Sequence, residues 1–301
     1  MRRHDPAAAP AAALAAGLAI AALLAAAGPW RPPAPRTSAQ SPCYSDFTDL
    51  QAWWPLDDDP LSETAVDVVG GHTARHVGGP AAAPGRRGLG RGYGKNAQWS
   101  EVPAPAAGLD LGTTDLTIDA WIRLPLGTSR VVVARTGRVA IAEKRSTAGG
   151  AGYALSFDSG FLGLELVDEA GRSATFSSRS GAVAGAVGAL LPADAEWHFV
   201  AVVVRRGGPG AGVTFVLDGV VTAATGATGG RPPAVPTASL ANDSPLRIGR
   251  RMAGSGSGGS PVVLDDVEVF GRAVDAGALE AIRTDGKCAP TREATATATA
   301  S

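Results

Sequence analysis

Between residues 116 and 270 the chain is a succession of short apolar or alternating runs, each closed by turn chemistry, at intervals near ten residues. That punctuation constrains the fold more than any other feature. Strands so short cannot bury their apolar faces alone, so they must stack in two layers or close into a barrel. Leu116-Thr117-Ile118-Asp119-Ala120-Trp121-Ile122-Arg123 alternates aliphatic or small side chains with polar or amphipathic ones, the period of a half-buried strand. Residues 197–204, Trp-His-Phe-Val-Ala-Val-Val-Val, are more uniformly apolar and suit a strand covered on both faces. Two β-branched runs, 213–217 and 220–223, flank Asp218-Gly219. A type I′ turn needs positive φ at both central positions, so Asp-Gly predicts a hairpin there. Residues 153–157 and 161–167 bracket a second short turn, Asp158-Ser159-Gly160, and 262–270 form a closing strand interrupted by Asp265-Asp266. Helix is scarce. One is predicted over 275–284, with Asp275 as N-cap and Ala278, Leu279 and Ile282 on one face. The chain therefore reads as all-β, a sandwich or barrel of one domain with one short C-terminal helix.

The ends read differently. Met1-Arg2-Arg3-His4 is a basic head, and residues 11–27 are an apolar run that closes with Ala25-Ala26-Ala27, an A-x-A-like cleavage site. Together they describe a secretory signal peptide over 1–27. An uncleaved membrane anchor is the competing reading, although the run is at the lower limit for a bilayer and alanine is less favourable in hydrocarbon than leucine. Either way the rest of the chain is expected to be secreted or held at the cell envelope. Residues 28–42 are Pro-rich and read as an extended tether, and 291–301 end in Thr-Ala repeats with nothing to bury, a disordered tail. The folded domain is expected over 43–290. Cys43 and Cys288 stand at its two edges. In an exported chain an even pair most simply means one disulfide. Two free thiols are the alternative, which an oxidising compartment disfavours.

Lys and Arg number 27 against 28 Asp and Glu, with no strongly basic stretch, which excludes a protein whose affinity rests on neutralising phosphates. Catalytic signatures are largely missing. Gly254-Ser255-Gly256-Ser257-Gly258 matches the letters of a nucleophile elbow but lies in a Ser/Gly-rich loop. His72 and His76 lack a helical context and an intervening Glu, so they read as loop or strand-edge residues. His198, beside Trp197, reads as a structural imidazole bonded to neighbouring backbone. Glu165, Asp168 and Glu169 read as solvent-facing acids on strand edges, and the E-x-D-x-x-E strand of sandwich-fold glucanases is absent.

Asp57-Asp58-Asp59 differs. In a turn, three consecutive acids can converge with backbone carbonyls on a hard cation, and calcium tolerates such irregular geometry. Asp67 and Asp265-Asp266 are candidate partners, and a simple acidic turn is the alternative. Sugar sites need an aromatic to stack on a pyranose face. Trp53, Trp54, Trp121 and Trp197 lie in or beside strand patterns and read as core. Trp99, in Asn96-Ala97-Gln98-Trp99-Ser100-Glu101, is the sugar-platform candidate.

The order of motifs resembles the laminin-G-like jelly-roll domains of the concanavalin A-like lectin/glucanase superfamily. Trp53-Trp54-Pro55-Leu56-Asp57 looks like the opening W-P-x-D strand. Asp67-Val68-Val69-Gly70-Gly71-His72 stands where an Asp-x-Ser-Gly-Asn-Gly turn is usual, with the Asn replaced. The strand 116–122 is close to F-T-I-E-A-W-V. Glu196-Trp197-His198-Phe199 resembles E-W-H-H, and Leu217-Asp218-Gly219 the hairpin that follows. Pro245-Leu246-Arg247-Ile248-Gly249 matches P-L-x-I-G, the run 264–274 resembles I-D-E-V-R-I-Y-N-R-A-L, and Gly286-Lys287-Cys288 a closing G-K-C. The resemblance implies a two-sheet antiparallel jelly roll, often exported and often carrying a structural calcium at one rim. Asp265 is the position matching the family's usual ligand, Asp57 a second candidate and Asp67 a weaker third. It also implies a non-catalytic binding or adhesion module whose partner is an extracellular glycan or an envelope protein. A structural envelope protein without a small ligand, or a glycoside hydrolase on the same sandwich, are the alternatives.

Overall fold

A computed structural model describes residues 43–94, 97–125, 139–145, 150–158, 160–179, 192–250 and 261–288. The segments expected as signal, tether and tail lie outside them, as does the Gly/Ser run 254–258. In chain order the strands are β1 (Leu50–Trp54), β2 (Thr64–Ala65), β3 (Ala74–Val77), β4 (Ala81–Pro84), β5 (Leu89–Tyr93) and β6 (Trp99–Val102). Then come β7 (Leu116–Arg123), β8 (Val139–Arg145), β9 (Gly152–Asp158), β10 (Phe161–Val167), β11 (Ser173–Ser177) and β12 (Trp197–Arg205). The last are β13 (Gly212–Leu217), β14 (Val220–Ala223), β15 (Thr225–Gly226), β16 (Leu246–Ile248) and β17 (Val262–Phe270), followed by helix α1 (Ala276–Asp285).

They form two sheets in which every described strand pair is antiparallel. One runs β14-β13-β12-β7-β17-β5-β4, with β1 also paired to β17, and the other β15-β11-β10-β9-β8-β16-β6-β3-β2. The expected two-sheet jelly-roll sandwich with one short C-terminal helix is what the chain forms. The inward faces share one core. Trp54, Ile118, Ala120, Val202 and Phe215 come from the first sheet, and Leu155, Phe157, Leu164 and Phe176 from the second.

Local rules hold at the turns. Leu217 pairs with Val220, and the residues between them, Asp218 and Gly219, have φ 50° and 86°, the doubly positive pattern of a type I′ turn. The break expected in the closing strand is a bulge: the β17–β7 register shifts between Asp265 and Glu268, and Asp266 has φ 47°. Helix α1 starts as expected, with the Asp275 carboxylate accepting from the Ala278 N–H at 2.9 Å.

One strand differs from expectation. β7 is not half-buried: seven of its eight residues are buried. Its neighbours β12 and β17 make it central, and its outward face is covered too. Leu279 and Ile282 of α1 pack on that face with Leu50, Trp53, Trp121, Phe199 and Phe270. Alternation in β7 thus marks two buried faces, and Asp119 lies fully inside the protein.

The two ends of the domain meet. Cys43 and Cys288 form the expected disulfide, their Cα atoms 5.0 Å apart across a sequence separation of 245. Tyr44 and Lys287 form a parallel bridge beside it, with the Tyr44 N–H donating to the Gly286 carbonyl and the Cys288 N–H to the Tyr44 carbonyl. Among the described residues no helix is long and apolar enough to cross a membrane.

Candidate functional site

The two sheets treat their outward faces differently. The eight-stranded sheet is covered by α1 and the segment before β1, whereas the outward face of the nine-stranded sheet carries polar and charged side chains, buried at β8 and β9 and partly exposed toward β3, β6 and β10. Strand periodicity decides what stands there. In β10, Leu162, Leu164 and Leu166 point into the core, so Phe161, Gly163 and Glu165 point out. The same alternation turns out Arg75 of β3, Trp99 and Glu101 of β6, Glu143 and Arg145 of β8, Thr175 of β11 and Arg247 of β16.

Register then aligns these residues in one row. Arg75 pairs with Glu101, Glu101 with Arg247, Arg247 with Glu143, Glu143 with Ala154, Ala154 with Glu165, and Glu165 with Thr175. Alternating charge across neighbouring strands stabilises each pairing. Arg247 Nε donates to Glu101 Oε2 at 2.8 Å. Ala154 is short, and above it the Arg145 guanidinium bridges two carboxylates, Nε to Glu143 Oε1 and Nη1 to Glu165 Oε2, both at 2.8 Å. Glu165, expected as a solvent-facing acid on a strand edge, is therefore locked by a guanidinium.

In the adjacent row, Gly163 lies between Ser156 and Ser177. The missing side chain leaves a cleft lined by Ser156, Gly163, Glu165, Thr175, Ser177 and Arg179. Its cavity of about 40 Å³ holds a few water molecules and cannot enclose a sugar ring. The Arg179 guanidinium lies over the Phe161 ring, 4.4 Å from its centroid, and forms one wall.

Trp99 lies at the other end of the face, half-buried. Its indole N–H donates to Glu101 Oε2 at 3.2 Å, and the guanidiniums of Arg247 and Arg250 lie 5.3 and 4.6 Å from its ring centroid. The sugar-platform candidate is thus on the outward face of the nine-stranded sheet, but its ring is already engaged by cations. Trp53, Trp54 and Trp121 are buried as expected.

The acids expected to gather on calcium are engaged by N–H donors. Asp67 is buried and accepts from the backbone N–H groups of Trp53, Val69, Gly70 and His72, and lies 3.1 Å from His72 Nδ1. Asp57 accepts from Leu89 N–H, and Asp265 from the N–H groups of Arg86, Arg87 and Asp266. The backbone carbonyls of 58–60, which a hard cation would need, receive the buried Arg91 guanidinium at 2.8–3.3 Å. Arg91 is the cation of this turn. Burial and the neighbouring Asp266 push the Asp265 carboxyl up to about 8, which further disfavours it as an ionised ligand. Among the described residues no three His, Cys, Asp or Glu side chains gather in a metal-holding group, so these residues do not fit the expected ion.

His198 corrects another expectation. Its partners are not backbone atoms but two carboxylates, Asp218 Oδ2 at 2.7 Å from Nδ1 and Asp194 Oδ1 at 3.1 Å from Nε2. The Asp218 bond holds the imidazolium form and raises its pKa. His76, in β3, bonds Ser100 Oγ, and burial lowers it to about 4.

Residues 94–279 match a laminin G family model of the concanavalin A-like lectin/glucanases superfamily. The chain belongs to this superfamily. No curated protein sequence matches it. Among solved structures, this superfamily member is similar to the binding domain of Paraclostridial Mosquitocidal Protein 1. The TM-score is 0.56 and the identity 14%, over 78% of this chain and 52% of that one. It is also similar to the botulinum neurotoxin serotype C1 binding domain, with TM-score 0.54 and 13% identity over 81% and 53%. The receptor binding domain of the botulinum neurotoxin C/D mosaic serotype gives 0.53 and 11% over 78% and 51%. The chain spans about half the length of these domains, and the likeness is one of fold.

Proposed function

We propose that this protein is an exported, non-catalytic binding module that recognises an extracellular glycan on the outward face of its nine-stranded sheet. The observation that carries the reading is the contrast between the two sheets: one outward face is sealed by helix and aromatics, the other carries a row of paired guanidinium and carboxylate groups, buried at Glu143 and Arg145 and reaching solvent at Arg75, Glu101, Arg247 and Glu165. Planar groups of this kind orient hydroxyls, and the small cleft favours an extended ligand lying across strands over one swallowed by a pocket. Among the described side chains of this face that reach solvent, Arg75, Arg179, Arg247 and Arg250 outnumber Glu101 and Glu165, which favours an acidic glycan. The bridging of Glu143 and Glu165 by Arg145 argues against hydrolysis, since a retaining glycosidase needs one such carboxyl protonated. Domains of this fold serve two of the toxins named above as binding parts, which is consistent with the reading. The Cys43–Cys288 bond is consistent with an oxidising, extracytoplasmic setting.

The test is a glycan array of neutral, uronic-acid, sialylated and sulfated chains probed with the purified protein and with Gly163→Leu. Gly163 does not have positive φ, and a Cβ there would meet Phe176, Ser156 and their backbone only at ordinary contact distances. The backbone therefore accepts a side chain at this position, the leucine enters the cleft, and far-UV circular dichroism checks that the variant folds. Binding of acidic glycans that Gly163→Leu weakens at least tenfold supports the reading. A blank array, or binding indifferent to Gly163→Leu and Arg247→Ala, overturns it and leaves an envelope interaction protein without a small ligand.

A further inference from the structure

On the sealed side of the sandwich lies a set of reactive groups with no role in the proposed binding face. Lys287, next to the disulfide, and Glu268 of β17 are both 1% exposed at their side chains and stand in direct ion-pair contact, Nζ to Oε1. Asp119 of β7 is the register partner of Glu268, so the two carboxyls are direct cross-strand neighbours. Both oxygens of Asp119 and Oε2 of Glu268 lack any hydrogen-bond partner, as does Lys287 Nζ beyond its ion contact. The surroundings are mostly apolar. Nζ lies 5.3 Å from the Trp53 ring centroid and 5.8 Å from that of Phe270, and Trp121, Phe199 and Ile282 line the remaining space together with Asp266, whose carboxylate accepts from the Trp53 indole N–H. That space, about 10 Å³, is at the lower limit for one water.

As an ion pair this arrangement is poor. Buried charges persist when every lone pair and proton is satisfied, and a second carboxylate opposite Glu268 with two orphan oxygens violates that rule. An amide resolves the conflict. We propose that Lys287 and Glu268 condense to an intramolecular isopeptide bond, with Asp119 as the neighbouring proton carrier. The neutral Nζ attacks Glu268 Cδ and a C–N bond forms. Asp119, protonated, donates to the carboxyl oxygen and takes up the proton released from nitrogen. The C–OH bond then breaks and one water leaves. Amine plus carboxylic acid gives secondary amide plus water, with no oxidant or activating group, and Asp119 ends in its starting state. Burial favours the starting forms: it draws the Lys287 ammonium pKa down and pushes the Asp119 carboxyl up. Held contact between nucleophile and electrophile in a dry site supplies the remaining drive. The product is neutral, and a protonated Asp119 has the new carbonyl as its acceptor.

The experiment is mass spectrometry of the purified full chain, reduced and denatured. The expected result is a mass 18 Da below the sum of the residues, referred to the observed N-terminus. Trypsin, unable to cut after an acylated Lys287, releases peptide 252–272 joined to 284–292. Lys287→Arg, which keeps the charge, restores the full mass. Asp119→Ala that still folds by far-UV circular dichroism keeps the full mass as well. A wild-type chain of unaltered mass, cut after Lys287 and acetylated there by an amine reagent, overturns the proposal. So does an 18 Da deficit that survives in Lys287→Arg. A cross-link formed at the wild-type extent in Asp119→Ala overturns the role of Asp119.

Discussion

Replacing Cys43 and Cys288 together by serine tests how the ends of the domain are held. The bond spans 245 residues. Chain-entropy arithmetic for a loop of that size gives about 5 kcal/mol at 25 °C, an upper figure because denatured chains keep some compactness. For a domain of this length one kcal/mol moves the midpoint by roughly 2–4 °C, so the double variant should melt about 10–20 °C lower. Little native packing is lost, since serine is close in size and the Tyr44–Lys287 bridge and the β1–β17 ladder remain. The assay is guanidinium unfolding of the oxidised protein, the reduced protein and the double variant. The last two should share one midpoint, well below the first. A loss under about 1 kcal/mol, with thiol counting showing the bond fully formed in the wild type, refutes the entropic reasoning: the ends would then be tied just as well in the unfolded chain.

Arg91→Met keeps the stem but orphans the carbonyls of 58–60, so a destabilisation of about 3 kcal/mol is expected by urea unfolding. Because the acids near that turn face N–H donors, thermal midpoints in millimolar calcium and in EDTA should coincide; a rise of several degrees with calcium would contradict the assignment of Arg91 as the cation. His198, raised by its bond to Asp218, stabilises the fold fully below its unfolded value near 6.5, and that contribution is lost as pH rises through the folded value. The buried acids raised in pKa tilt the curve the same way, so the readout is a difference: wild type minus His198→Gln should shrink as pH goes from 6 to 8. His76, lowered by burial, acts on the other side, and the stability it contributes as a neutral ring fades as pH falls from 6.5 toward 4.

Period and turn chemistry are local properties, so the strands, the Asp218-Gly219 hairpin, the Asp265-Asp266 break and the Asp275 cap were legible in the sequence. Coverage is not local. The alternation of β7 gives no sign that α1 arrives, some 150 residues later, to bury the face carrying Asp119 and Trp121. The acidic turn misled for a related reason: Asp57-Asp58-Asp59 names its acceptors but not its donors, and Arg91 is brought there only by β5. On the outward face of the nine-stranded sheet, Trp99-Ser100-Glu101, Glu143-Lys144-Arg145 and Leu246-Arg247-Ile248 each announce one or two outward side chains. What no single strand reveals is the register that sets Arg75, Glu101, Arg247, Glu143 and Glu165 in one line.

Entry and exit of the folded body at Cys43 and Cys288, 5.0 Å apart, also fix how it responds to tension. A pull applied across those two points runs through a covalent sulfur bridge and never reaches the hydrogen-bonded ladders. Between those two points the sandwich bears no load, like a pendant held by its clasp.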